Sequence, residues 1–158
     1  MNFTEFKLNA QILSGVKELG YETATPIQEK AIPSILAGLD VVGTAQTGTG
    51  KTAAFALPLL QRLMDGPRGQ LRRLILAPTR ELAEQIRQSI DRLAIRTGLR
   101  CTAIYGGANL VKQYQILRRG VDIVIACPGR LLDHINRGNI NLTQVEVLVL
   151  DEADHMFD

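Results

Sequence analysis

Five short apolar runs rich in β-branched residues limit the fold more than any other feature of the chain: Asp40 to Thr44, Leu74 to Ala77, Cys101 to Tyr105, Asp122 to Ala126 and Val145 to Leu150. Strands that are apolar at successive positions, with no alternating polar face, belong in a parallel sheet covered on both sides. Between them lie segments with helical spacing. Asn9 precedes Ile12, Leu13, Val16 and Leu19, with Gly20 as a stop; Thr79 precedes Leu82, Ile86, Ile90 and Leu93, with Gly98 beyond. Strand alternating with helix predicts an α/β domain with right-handed crossovers. Pro58 falls inside the helix expected after Lys51, where it removes a backbone donor and predicts a kink. The loop-like stretch is Asp65 to Gln70, and no internal repeat interrupts the domain.

At 158 residues, 46% of them hydrophobic, the chain has the size of one domain whose core needs no covalent staples. A net charge of +2 does not mark a polyanion partner, so any such partner has to be argued from placed residues. Cys101 and Cys127 form no CxxC pair and the chain has two histidines, which points to buried thiols in a reducing, cytoplasmic setting rather than to zinc or disulfides. No apolar stretch approaches the ~18 residues of a membrane span, and the acid-bearing start, Met1 to Leu8, is no signal peptide. Arg72-Arg73, Arg92 with Arg96, and Arg118-Arg119 read as solvated faces.

Ala45-Gln46-Thr47-Gly48-Thr49-Gly50-Lys51-Thr52 matches the P-loop pattern, directly after the apolar run and at the start of a helical stretch. Its glycines let backbone N–H groups turn inward around a polyphosphate, Lys51 supplies a point charge to the β and γ phosphates, and the Thr52 hydroxyl suits Mg²⁺. The bland alternative is a Gly-rich strand-to-helix turn. Val147-Leu148-Val149-Leu150-Asp151-Glu152 has the Walker B form, an apolar strand ending in two acids. Ligands of open α/β sheets gather at such C-terminal strand ends, so Asp151 is the candidate Mg²⁺ holder and Glu152 the residue that orients or deprotonates the attacking water. Read alone, the two acids could be solvated loop residues.

Asp151-Glu152-Ala153-Asp154 spells the motif that names a family of RNA-dependent ATPases, and nearly the whole chain resembles the first RecA-like domain of a DEAD-box RNA helicase. The resemblance implies ATP and Mg²⁺ as cofactors, Lys51, Asp151 and Glu152 as catalytic residues, and Asp154 as a coupling residue. Gly20-Tyr21-Glu22 followed by Thr25-Pro26-Ile27-Gln28, with Phe3 upstream, is similar to the family's Q motif within residues 1–29. By that resemblance Gln28 reads the adenine edge, Phe3 stacks on the ring and Tyr21 is a weaker adenine contact. Thr25 to Gln28 is also a capping box with proline at its first helical position, so Gln28 could simply close a helix end. Ala24 stands where the family usually has proline, which bears on the stiffness of that loop.

Three more segments resemble the family's RNA-facing motifs. Pro78-Thr79-Arg80 follows one apolar run, Gly106-Gly107 another and Pro128-Gly129-Arg130 a third, each suited to a sugar-phosphate backbone and each also explicable as a cap or turn. Cys127 stands where the family more often has Thr, at a cost of one hydroxyl contact. The sequence ends soon after Asp154, so the family's Ser-Ala-Thr strand and its second RecA-like domain are expected to be missing, leaving a gap at the sheet centre. The resemblance thus implies the N-terminal ATP-binding domain of an RNA helicase, with RNA and a second domain as partners, no membrane, and little activity on its own. The alternative is a non-catalytic ATP- or RNA-binding module.

Overall fold

The structure is a computed structural model that describes residues 1–46 and 48–157. It divides into two compact units, Met1–Gly66 with Ser89–Leu99, and Pro67–Gln88 with Arg100–Asp158.

In the first unit a 3-10 turn, Phe3–Phe6, is followed by α1 (Ala10–Glu18), α2 (Pro26–Leu36) and α3 (Lys51–Leu63). Asn9 caps α1 by accepting from Gln11 N–H at 2.8 Å, and Gln61 on α3 in turn accepts from Asn9 N–H at 2.6 Å. Alanine and leucine dominate α3, and every residue from Ala53 to Leu60 is buried, so it is a core helix rather than an amphipathic one. Pro58 lies within it, and the helix runs on to Leu63.

The second unit holds β1 (Arg73–Leu76), β2 (Cys101–Ile104), β3 (Ile123–Ala126) and β4 (Val147–Leu150), all parallel, in the order β2-β3-β1-β4. They are connected by α4 (Arg80–Leu93), α5 (Leu110–Arg119) and α6 (Pro128–Asn136). The path from β1 out to β2 reverses on the way to β3 and β4, so right-handed crossovers place α4 on one face and α5 and α6 on the other. Packing agrees. Leu117 of α5 and Leu131 of α6 join Leu74, Ile104, Val124 and Ala126 in one cluster, while Cys101, of opposite parity to Ile104, places its Sγ 3.8 Å from the Arg87 carbonyl of α4. At the N-terminal edge of the strands Asp122 accepts from Gly69 N–H and Arg100 N–H, at 2.8 and 2.9 Å.

Two expectations need correction. Asp40 to Thr44 forms no strand, because among the described residues it has no hydrogen-bonded neighbour, and Val42 is 98% exposed. Arg72 and Arg73 are not solvated: Arg73 is 1% exposed, and Glu146 meets Arg72 Nε at 2.5 Å and Arg73 Nη1 at 3.6 Å. Both cysteines are free thiols, and they are half-buried rather than buried.

Candidate functional site

Because the four strands are parallel, Pro78 to Arg80, Gly106-Gly107, Pro128 to Arg130 and Asp151-Glu152 all emerge at the C-terminal edge of one sheet. Thr79 caps α4, its Oγ1 accepting from Leu82 N–H at 3.2 Å. Arg80 then lies over the ring of Tyr105, 4.9 Å from its centroid, and its Nη1 stands 3.3 Å from where a Cβ on Gly107 would be. Two loops distant in sequence thus share one cation. The Tyr105 hydroxyl donates to Glu84 at 2.8 Å, and Glu84 pairs with Arg87 at 3.0 Å. Arg87 chiefly, with help from Tyr105, holds the Glu84 carboxyl below its ordinary range, while burial and then Glu84 push the Tyr105 phenol up.

Arg130 does not simply face outward. Its Nη1 donates to the Ala108 carbonyl and to Gln113 Oε1, both at 3.0 Å, and its Nε lies 3.4 Å from Asp133. Gln113 Nε2 donates to the Tyr105 carbonyl at 3.0 Å, and buried His134 meets Gln113 Oε1 through Nε2 at 3.0 Å. Cys127 occupies the N-cap position of α6 without a side-chain cap bond, which a Thr there would supply. Burial pushes its thiol pKa up.

Asp151 closes β4, buried, with its N–H donating to the Leu76 carbonyl at 3.0 Å. Glu152 follows in the left-handed region at φ 51, where a residue with a Cβ is strained. Asp154 is exposed, in the 3-10 turn Ala153–Phe157.

In the first unit, Gly48 and Gly50 both adopt left-handed φ, 83 and 81, and Thr49 Oγ1 donates to the Gln46 carbonyl at 2.5 Å. Ala45 and Gln46 lead in without regular secondary structure, Lys51 and Thr52 open α3, and Thr47 lies outside the described residues. Gln28 is 3% exposed and braces this turn, its Nε2 donating to the Gly50 carbonyl at 3.0 Å while its Oε1 accepts from Thr25 N–H at 2.9 Å. The capping role of Gln28 is therefore real, and it extends to the P-loop. Phe3 is buried edge-on against Phe6 at 5.8 Å and stacked on Tyr21 at 6.2 Å, while Tyr21 is exposed.

Comparison with known proteins bears on this arrangement directly. Residues 25–158 match the family described as DEAD/DEAH box helicase. The chain belongs to that family. It is 48% identical over 156 residues to the "ATP-dependent RNA helicase CshA" of Listeria monocytogenes, covering 99% of this chain and 30% of that protein. With the "ATP-dependent rRNA helicase rrp3" of Aspergillus terreus it shares 47% over 157 residues, 99% of this chain and 35% of that one. Among solved structures, a DEAD box protein from the hyperthermophile Methanococcus jannaschii superposes with a TM-score of 0.91 at 42% identity, covering 99% of this chain and 43% of the other. The chain therefore spans about a third of the curated relatives named here, and its fold is the RecA-like α/β ATPase domain of DEAD-box proteins.

Within this DEAD-box domain the residues that sequence reasoning missed are the supports. Tyr105, Glu84 and Gln113 carry no motif, though Tyr105 directly precedes Gly106-Gly107 and Gln113 is a buried polar position on the sheet-facing side of α5.

Proposed function

We propose that the full-length protein is an ATP-dependent RNA helicase that couples ATP hydrolysis to local unwinding of RNA duplexes, with this chain as its N-terminal ATP-binding domain. The observation that carries the reading is the gathering of Pro78 to Arg80, Gly106-Gly107 and Pro128 to Arg130 beside the buried Asp151 at one edge of a parallel sheet. Such loops meet RNA through its sugar-phosphate backbone, which carries no base sequence, so unwinding does not depend on reading bases.

Ala45 to Gly50 wraps the phosphates of ATP, and the left-handed turns at Gly48 and Gly50 suit that wrapping because they aim successive N–H groups inward. Lys51 compensates phosphate charge. Gln28 uses one lone pair and one N–H internally, leaving one of each for the adenine edge. Burial reverses the order of the aromatics: Tyr21 offers the exposed ring, and Phe3 backs it by stacking. Thr52 would offer Mg²⁺ a hydroxyl and Asp151 would offer it a carboxylate, each a hard oxygen donor of the kind the ion takes, and the ion would neutralise charge on the β and γ phosphates. Glu152 orients the attacking water and takes its proton.

The second RecA-like domain supplies the opposite side of the γ phosphate, and Asp154 couples the two. An arginine finger is worth ~10³ to 10⁵ in rate, so residues 1–158 alone should show negligible RNA-stimulated hydrolysis. We place the protein in the cytoplasm on its two free thiols, which suit a reducing compartment. The deciding experiment is the ATPase rate of the full-length protein with RNA or DNA added. RNA should stimulate and DNA should not; equal stimulation sinks the RNA assignment. In the same assay Lys51→Ala should lose nucleotide affinity, whereas Glu152→Gln should keep ATP bound and lose hydrolysis.

A further inference from the structure

We propose that Gln113 is a positioning residue for RNA binding: its side-chain amide holds one end of the Gly106-Gly107 turn directly and the other through Arg130, and with them the backbone that meets the sugar-phosphate chain. The inference rests on the reading above that this turn contacts RNA. The sheet ladder stops short of the turn, its last bond on this side running from Cys127 N–H to the Ile104 carbonyl at 3.0 Å. Beyond that bond the Tyr105 carbonyl is held by Gln113 Nε2, and the Ala108 carbonyl by Arg130, whose same Nη1 also donates to Gln113 Oε1, each at 3.0 Å. Between these anchors Gly106 and Gly107 are exposed, with Gly107 at φ 81. An exposed turn with a left-handed glycine has many conformations available, and anchoring its two flanking carbonyls removes most of them before RNA arrives.

The polarity of the network requires an amide at this position. Gln113 Nε2 faces a carbonyl and must donate, and its Oε1 faces a guanidinium and must accept. His134 Nε2, 3.0 Å from the same oxygen, therefore carries the proton, and His134 Nδ1 accepts from Asn139 Nδ2 at 3.0 Å. Around the Gln113 amide and the His134 ring each donor thus meets an acceptor, and burial first, then Arg130, keeps the imidazole neutral by lowering its pKa. Leucine at 113 would neither donate nor accept. Glutamate would keep the bonds from Arg130 and His134 but set an acceptor against the Tyr105 carbonyl.

The test uses the full-length protein with a single-stranded oligouridylate, measuring RNA affinity by fluorescence anisotropy and ATP affinity separately. Gln113→Leu should weaken RNA binding by about tenfold while ATP affinity holds. The salt dependence of RNA binding should keep its slope, because no phosphate-facing charge is removed. Gln113→Glu separates positioning from mere folding: keeping the bonds from Arg130 and His134, it should fold and hold ATP with native affinity yet bind RNA as poorly as Gln113→Leu, and it carries the test alone if the leucine variant does not fold. Native RNA affinity in Gln113→Glu overturns the inference, as does equal loss of RNA and ATP affinity in both variants. Gly107→Ala probes the underlying reading. If it weakens RNA binding while both Gln113 variants bind normally, only the role of Gln113 falls; if it leaves RNA affinity untouched, the turn does not meet RNA and both conclusions fall together.

Discussion

Replacing Gly50 by alanine should cost more than replacing Gly48, although both glycines sit at nearly the same left-handed φ, 81 and 83. The shared part is backbone strain, about 1–2 kcal/mol for an L-residue in that region. The difference lies in what a Cβ meets. At Gly48 nothing is within 4 Å, whereas at Gly50 it would stand 2.4 Å from Gln28 Nε2, 3.2 Å from Gln28 Cδ and 3.2 Å from Thr25 Oγ1. Gln28 must then swing away, losing its bonds to the Gly50 carbonyl and Thr25 N–H, each worth about 0.5–1.5 kcal/mol. Gly50→Ala should therefore destabilise by about 2–5 kcal/mol against about 1–2 for Gly48→Ala. Urea unfolding measures both. In a Gln28→Ala background only the 3.2 Å approach to Thr25 Oγ1 is left and most of the extra cost of Gly50→Ala should vanish, a coupling of about 1–3 kcal/mol in the double-mutant cycle. Equal losses at the two glycines, or strict additivity with Gln28→Ala, would refute the claim that Gln28 braces the P-loop.

Three further outcomes follow from packing and charge. His134 is buried and neutral, its pKa lowered by burial, Arg130 and Arg137 against the opposing Asp133, so the folded state binds fewer protons than the unfolded one below about pH 6.5; stability should be flat above that value and fall as pH drops through the folded pKa, and urea midpoints of His134→Gln should lose this slope. Tyr105→Phe should cost about 0.5–1.5 kcal/mol through the lost bond to Glu84 yet keep RNA affinity, because the ring remains beneath Arg80, whereas Tyr105→Leu should weaken RNA binding in the anisotropy assay. Glu146→Ala removes a carboxylate from buried Arg72 and Arg73 and should cost about 1–3 kcal/mol, against about 0.5 or less for Glu18→Ala, whose pair with Arg96 is exposed; similar urea midpoints for the two would contradict that ranking.

The candidate site's segments could be picked out from the sequence because each is contiguous: Gly48 to Thr52 runs into the helix that Lys51 opens, and Asp151-Glu152 ends the apolar strand Val147–Leu150. Support for that chemistry was not. Gln113 reaches Tyr105, Arg130 and His134 across two helices and a loop, and nothing local distinguishes it from a solvated polar residue of α5. Arg72 and Arg73 misled for the same reason. Their partner Glu146 directly precedes Val147, which pairs with Arg73 in the β1–β4 register, so the ion pair becomes visible only once the strand order is known. Gln28 lies between these cases, since its capping box is local but its bond to Gly50 is not.

The expected strand at Asp40 to Thr44 shows what apolar content alone cannot specify. All five runs carry it, yet their burial follows the number of hydrogen-bonded neighbours. β3 lies between β2 and β1 and is buried at every position; β1, also flanked on both sides, is buried at all but its last. β2 and β4, with one neighbour each in the sheet, alternate, and Leu148 and Leu150 of β4 are exposed. Asp40 to Thr44 has no such neighbour among the described residues, and Val41 and Val42 are exposed with no ladder at all. A parallel strand is a property of a pair, because its N–H and C=O groups have no intrasegment partners. With no strand before it among the described residues, the P-loop in the first unit is held by the helix after it: α3 is anchored through its buried Phe55, Leu57 and Leu60, and Gln28 of α2 fastens the turn at the Gly50 carbonyl, which also accepts from Ala54 N–H at 3.1 Å. The turn is held from its C-terminal side, which is why the Gln28 and Gly50 substitutions report on it so directly.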